Sequence, residues 1–154
     1  MDEPCGGDRW QPPARLRRLA GWQANKVSVL GARITSRYMP LRTRSDFAVL
    51  AALEEYGALS QADLGRRLGV DRNEISGIVT RLESDRHLDR QPDPADRRRN
   101  VVRLTASGRS YLERIQDHAD AAQEELLAAL DPAERLRLSR LLTKLLAGHR
   151  DHPA

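Results

Sequence analysis

The sequence predicts a mainly α-helical fold carrying one small β-hairpin. Three observations predict it. Apolar residues recur at helical spacing over most of the chain. Two short helical segments sit mid-chain with a Gly-containing turn between them. Directly after them come two extended segments that flank a polar, Pro-bounded tip.

The elements follow in order. Residues 1–13 hold three Pro and two Gly without an apolar period, and read as a flexible arm. From Ala14 to Tyr38 apolar residues recur at Leu16, Leu19, Val27, Leu30, Ile34 and Tyr38, so one long helix is expected. Pro40 ends it, because the residue before a proline disfavours helical geometry. A second helix is expected from about Ser45, as cap, through Phe47, Leu50 and Leu53 to Tyr56, with Gly57 stopping it. Ser60 with Asp63 is a capping pair for a helix over Gln61–Leu68, closed by Gly69. Asp71 with Glu74 repeats the pattern and opens a helix over about Arg72–Arg86. Strands are expected at Leu88–Gln91 and Val101–Leu104. Thr105–Gly108 leads into a long helix with apolar positions at Tyr111, Leu112, Ile115, Ala119, Ala122, Leu126 and Leu130. Asp131, Pro132 and Glu134 start a last helix, which Gly148 ends. Residues 149–154 are expected to fray.

Composition bounds the answer. A chain of 154 residues, 40% apolar and 31% charged, is about one soluble domain. No apolar run approaches the roughly 18–20 residues of a membrane-spanning helix. The N-terminus has acids where a secretory leader needs bases. A single cysteine, Cys5, forms no internal disulfide, and a reducing cytoplasm is the expected compartment. There is no Gly-rich phosphate loop, no nucleophile motif and no His/carboxylate spacing suited to a metal. The expectation is a non-enzyme without metal or cofactor.

The net charge of +4 is unevenly spread. Residues 1–44 carry nine bases and three acids; residues 45–65 carry four acids and no base. Residues 66–109 carry eleven Arg against seven acids, and all but two of the 26 bases are Arg. Arg suits bidentate contacts to phosphate and guanine.

One constellation gathers that charge. On the helix after Asp71, Ile75, Ile78, Val79 and Leu82 form an inward stripe. The opposite face presents Asn73, Ser76, Gly77, Thr80 and Arg81, which are small or polar groups able to approach base edges in a major groove. Arg72 and Arg81 are expected to neutralise phosphates. The hairpin tip holds Arg97, Arg98 and Arg99 in a row, and Arg is drawn to narrow minor grooves. A helix pair followed by a hairpin is a winged helix-turn-helix arrangement. The terminal helices carry more Leu than so small a core covers, so a two-fold dimer is expected.

The stretch Leu82–Gly108, LESDRHLDRQPDPADRRRNVVRLTASG, resembles the MarR family of bacterial transcriptional regulators. The matching pieces are the end of the recognition helix, the Asp-x-x-Asp-Arg-Arg wing and the Leu-Thr-x-x-Gly helix entry. Helix order extends the resemblance over roughly residues 14–148. It implies a homodimeric repressor that binds a pseudo-palindromic operator in double-stranded DNA. Residues 14–38 and 107–148 would form the dimer, and residues 45–104 the DNA-binding lobe. Arg98 would enter the minor groove, positioned by a charge-assisted bond from Asp96, while Arg97 and Arg99 would face phosphate or Asp96. A small, aromatic or phenolic inducer would fill a pocket near Trp22, Asn25, Tyr38, Phe47 and His118. The urate-sensing branch pairs a first-helix Trp with an acid; here Ala48 stands where that acid is expected, with Asp46 two residues before it. Two other readings remain open at this point: a protein-interaction module that binds no DNA, and a redox-sensing regulator using Cys5.

Overall fold

A computed structural model describes residues 11–149. Cys5 and most of the N-terminal arm lie outside the described residues. The elements run α1 (Ala14–Arg17), α2 (Ala20–Tyr38), α3 (Leu41–Tyr56), α4 (Gln61–Leu68), α5 (Arg72–Ser84), β1 (Leu88–Pro92), β2 (Asn100–Leu104), α6 (Ala106–Leu126) and α7 (Pro132–Ala147). This is the mainly helical fold with a two-stranded hairpin wing that the sequence predicts. No described helix is long and apolar enough to cross a membrane.

Each strand is one residue longer than expected, and three helix boundaries differ by more. The long first helix is broken: Leu19 is extended, and α1 and α2 are separate. Three Arg within four residues precede the break and Gly21 follows it, so charge repulsion and weak propensity both favour an interruption there. The second helix begins at Leu41, four residues before Ser45. Ser45 is no cap; its hydroxyl donates to the Leu41 carbonyl at 3.2 Å from within the helix. Pro40 thus ends α2 and also opens α3, since a helix start needs no N–H there. Helix α5 stops at Ser84, because Arg86 takes a left-handed φ of 61° that turns the chain into β1.

The caps act as the sequence predicts. The Ser60 Oγ accepts the Asp63 N–H, and Asp71 accepts from Asn73 and Glu74. Asp131 and Glu134 form a reciprocal capping box. Gly69 closes α4 with φ 65°, a left-handed value that a Cβ disfavours, and so permits the tight turn into α5.

The core is one cluster. Val49, Leu50 and Leu53 of α3, Leu64 of α4, Ile75, Ile78, Val79 and Leu82 of α5, and Leu112 and Ile115 of α6 meet around it. Leu88 and Val102 bring the hairpin into the same cluster. The strands pair antiparallel from Leu88↔Leu104 to Pro92↔Asn100. Beyond the hairpin, Leu59 and Val102 exchange two backbone hydrogen bonds, which tie β2 to the chain entering α4. Helices α2 and α6 pack on each other, and α7 carries exposed Leu136, Leu141, Leu142, Leu145 and Leu146.

The entry into α6 is sterically tight. The Thr105 hydroxyl lies 2.8 Å from the Arg86 carbonyl and accepts the Gly108 N–H at 3.0 Å. A Cβ on Gly108 would sit 2.1 Å from the His87 carbonyl oxygen. Gly108→Ala is therefore expected to lower stability by about 1–3 kcal/mol, read as a depressed Tm. An unchanged melt would mean that α6 can retreat from His87 freely.

Candidate nucleic-acid interface

The exposed face of α5 is set by its buried side. With Ile75, Ile78, Val79 and Leu82 inside, Arg72, Asn73, Gly77 and Thr80 stand exposed and Ser76 is half-buried. Asn73, Gly77 and Thr80 fall at i, i+4 and i+7, one stripe of a helix. Nothing lies within 4 Å of where a Gly77 Cβ would be, so the backbone there is open to close approach. The exposed carboxylate of Glu74 borders this stripe, where the sequence pattern marks only a capping group.

Arg81 departs from its expected role. Its guanidinium forms an ion pair with Asp46 of α3, and only 29% of its side chain is exposed. The same carboxylate accepts the Tyr111 hydroxyl at 3.1 Å through its other oxygen. Asp46 itself is 1% exposed. Burial first, and then the charge of Asp46 and its hydrogen bond, raise the Tyr111 pKa above the usual phenol value. One turn earlier on α3, Arg42 pairs with Asp85 at 3.0 Å. Two ion pairs thus join α3 to the C-terminal end of α5. Sequence alone hid both, because the partners are 35 and 43 residues apart.

The wing tip is shaped by its acids through the backbone. Asp93 accepts the Ala95 N–H at 2.9 Å and Asp96 accepts the Arg98 N–H at 3.0 Å. Asp96 therefore holds the Arg98 main chain, in place of the expected bond to its guanidinium. Among the described residues, the Arg97 and Arg98 side chains are exposed and make no ion pair. Arg99 also departs from expectation. Its Nη2 lies 3.3 Å from both the Ser60 Oγ and the Asp63 Oδ2 at the start of α4, away from Asp96. It latches the wing to the helix-turn-helix. Of the three adjacent arginines, two project outward and one is used internally.

The expected ligand residues do not form one site. Phe47 lines a recess of about 190 Å³ with Thr35, Met39, Arg44, Ala119, Ala122, Gln123 and Leu126. Tyr38 and His118 line another of about 230 Å³, with Pro40, Thr43, Tyr111, Arg114 and Ile115. Trp22 and Asn25 line neither; Lys26 lies over the Trp22 ring at 5.3 Å. The Tyr38 hydroxyl donates to Glu125 at 2.9 Å. That hydrogen bond and the carboxylate charge raise the Tyr38 pKa. No pattern in the sequence marks Arg44. Its Nε is buried without an acceptor, beside the apolar wall of the first recess. Among the described residues no His, Cys, Asp and Glu cluster has the makings of a metal site.

The sequence pattern of the MarR family matches residues 42–99, from the second residue of α3 to the wing tip. The HTH-type transcriptional repressor NicR of Pseudomonas putida is 36% identical over 107 residues, spanning 70% of this chain and 68% of NicR. The chain belongs to the MarR family of transcriptional regulators. A putative transcriptional regulatory protein for the hcr operon of Thauera aromatica is 32% identical, spanning 70% of this chain and 65% of that protein. The aligned stretch is thus about two thirds of the length of these curated relatives. Bordetella bronchiseptica BpsR, whose DNA binding is regulated by 6-hydroxynicotinic acid, superposes with a TM-score of 0.73. It is 29% identical, over 87% of this chain and 97% of BpsR. In this MarR-family regulator the wing and α5 are neighbours on one scaffold.

The wing latch has a pH signature. The Ser60 hydroxyl, then the Arg66 hydrogen bond, then the charges of Arg66 and Arg99 hold the Asp63 pKa below its ordinary 3.8, against an opposing effect of burial. A depressed carboxylate pKa stabilises the fold above the ordinary value, and that stability is lost as pH falls through the depressed one. NMR shifts of the Arg99 and Asp63 amides are expected to stay constant from neutral pH to about 4 and to titrate below it. Asp63→Asn should lack this step. A midpoint at or above 3.8 would contradict the Ser60 and Arg66 bonds to Asp63, to which Arg99 adds its charge.

Proposed function

We propose that this chain is a homodimeric repressor that reads a pseudo-palindromic operator in double-stranded DNA and acts in the cytoplasm. The observation that carries the reading is a pairing of surfaces. The exposed Asn73–Gly77–Thr80 stripe of α5 stands on the same scaffold as a wing whose Arg97 and Arg98 are unpaired. Asn73 and Thr80, with half-buried Ser76 beside them, would meet base edges, Gly77 would admit the backbone, and Arg72 would contact phosphate. Arg98 would enter the minor groove with Arg97 on the flanking backbone. The apolar face of α7 and the exposed Leu19, Val27 and Leu30 of the N-terminal helices would be covered by a second copy, as closed two-fold dimers require. The regions 14–38 and 107–148 would then be the dimerisation part and 45–104 the DNA-binding lobe, its first helix extended back to Leu41.

Selection of duplexes from a random pool, at two salt concentrations, tests this. A two-fold site with half-sites about one helical turn apart, bound less tightly at higher salt, is expected. Arg98→Ala should weaken binding with the dimer intact. Asn73→Ala or Thr80→Ala should alter base preference at one position by about 1–3 kcal/mol. Full affinity in folded, dimeric Arg98→Ala, or a uniform loss across all sequences in Asn73→Ala and Thr80→Ala, would defeat these assignments.

A small organic acid would relieve repression from the Arg44 recess. Two observations support this: the BpsR likeness, and a guanidinium N–H buried without an acceptor. An unsatisfied buried donor is costly, and a carboxylate answers it with a charge-assisted bond. A cavity of about 150 Å³ takes a benzene ring, so 190 Å³ suits one ring with its acid group. Benzoate or 6-hydroxynicotinate is expected to release DNA from the natural chain. Arg44→Met should raise the concentration required by about tenfold or more. An identical response in Arg44→Met would move the acid elsewhere.

A further inference from the structure

We propose that Asp46 is a positioning residue that determines specificity by withholding Arg81 from DNA. The inference rests on the reading that α5 lies in the major groove. Arg81 follows Gly77 by four residues and Asn73 by eight, so it borders the exposed stripe rather than opposing it. An arginine free at that edge would take a phosphate. Phosphate contacts strengthen binding to every sequence alike and carry no base information. Specificity is the ratio of operator binding to binding elsewhere, and such a contact dilutes it.

Here the charge is spent inside the protein. The Arg81 Nη2 donates to one oxygen of Asp46 and the Tyr111 hydroxyl donates to the other at 3.1 Å. Asp46 is buried, and the Arg81 Nε is enclosed as well. The arginine is thereby held back against α3, at an acid that Tyr111 of α6 bonds in turn. Tyr111 stacks on His87 with ring centroids 4.4 Å apart, at the root of the wing, so the acid is gripped from a rigid position. The arrangement removes one cation per subunit from the DNA-facing side while keeping the reading helix fixed.

The test is the salt dependence of binding, which a merely structural role does not raise. Wild type, Asp46→Asn, Asp46→Asn with Arg81→Gln, and Tyr111→Phe are measured against the operator and a random-sequence duplex. Asp46→Asn is expected to tighten random-sequence binding severalfold at low salt. Its log–log salt slope should steepen by about 0.9 for each Arg81 released. The operator-to-random ratio should fall, and adding Arg81→Gln should return the slope to the wild-type value. Tyr111→Phe keeps the side-chain shape and removes one of the two bonds on Asp46. It should shift slope and ratio in the same direction by less, and it carries the test where Asp46→Asn does not fold. Folded variants with unchanged or shallower slopes would overturn the lock. A wild-type chain that binds neither duplex at low salt would overturn the DNA reading, and the lock with it.

Discussion

The buried stripe of α5, Ile75, Ile78, Val79 and Leu82, packs into the cluster formed by α3, α4, α6 and the hairpin, and the proposed reading surface takes its orientation from it. Each such side chain stabilises the fold by about 1.5–3 kcal/mol when fully buried. A helix has only one way to bury those four positions. The same rotation presents Asn73, Gly77 and Thr80 outward. Hydrophobic burial therefore decides which face of α5 is presented outward, the one proposed to read DNA.

Polar contacts then refine what burial sets. Asp46 and Asp85 fasten α5 laterally to α3 through Arg81 and Arg42. Arg99 fastens the wing to Ser60 and Asp63, and the Leu59–Val102 bridge does so again through the backbone. The wing is thus bound at its tip and along its inner strand to the helix pair it accompanies. Preorganisation of this kind reduces the ordering cost of binding. The arginines left over are the ones without an internal partner. A run of three identical residues is divided by geometry into one latch and two outward charges.

Acids placed beside arginines serve two opposite ends in this fold. At the wing, Asp93 and Asp96 spend their acceptors on backbone N–H groups and leave the Arg97 and Arg98 charges uncompensated. At the edge of α5, Asp46 spends its acceptors on a guanidinium and a phenol and neutralises the cation. In the Arg44 recess the third case occurs: a cation with a buried donor and no acid. A bare count of bases and acids, net +4, contains none of these distinctions.

Most elements were legible in the sequence because their determinants are local. Caps at Ser60, Asp71 and Asp131, the stops at Gly57 and Gly69, and the 3.6-residue apolar period act within a few residues of one another. The buried and exposed faces of α5 followed from the same period. The winged arrangement and the family resemblance rested on a contiguous stretch. Ser45 misled because a serine before an apolar run resembles a cap, whereas Pro40 already supplies the helix start. What only the tertiary structure decided are the partners of charges that lie far apart in sequence: Arg81 with Asp46, Arg99 with Ser60 and Asp63, and Arg44 with none among the described residues. An arginine's role depends on which acceptor lies within about 3 Å. That is fixed by how helices and hairpin close on a shared core, and no periodicity along the chain encodes it.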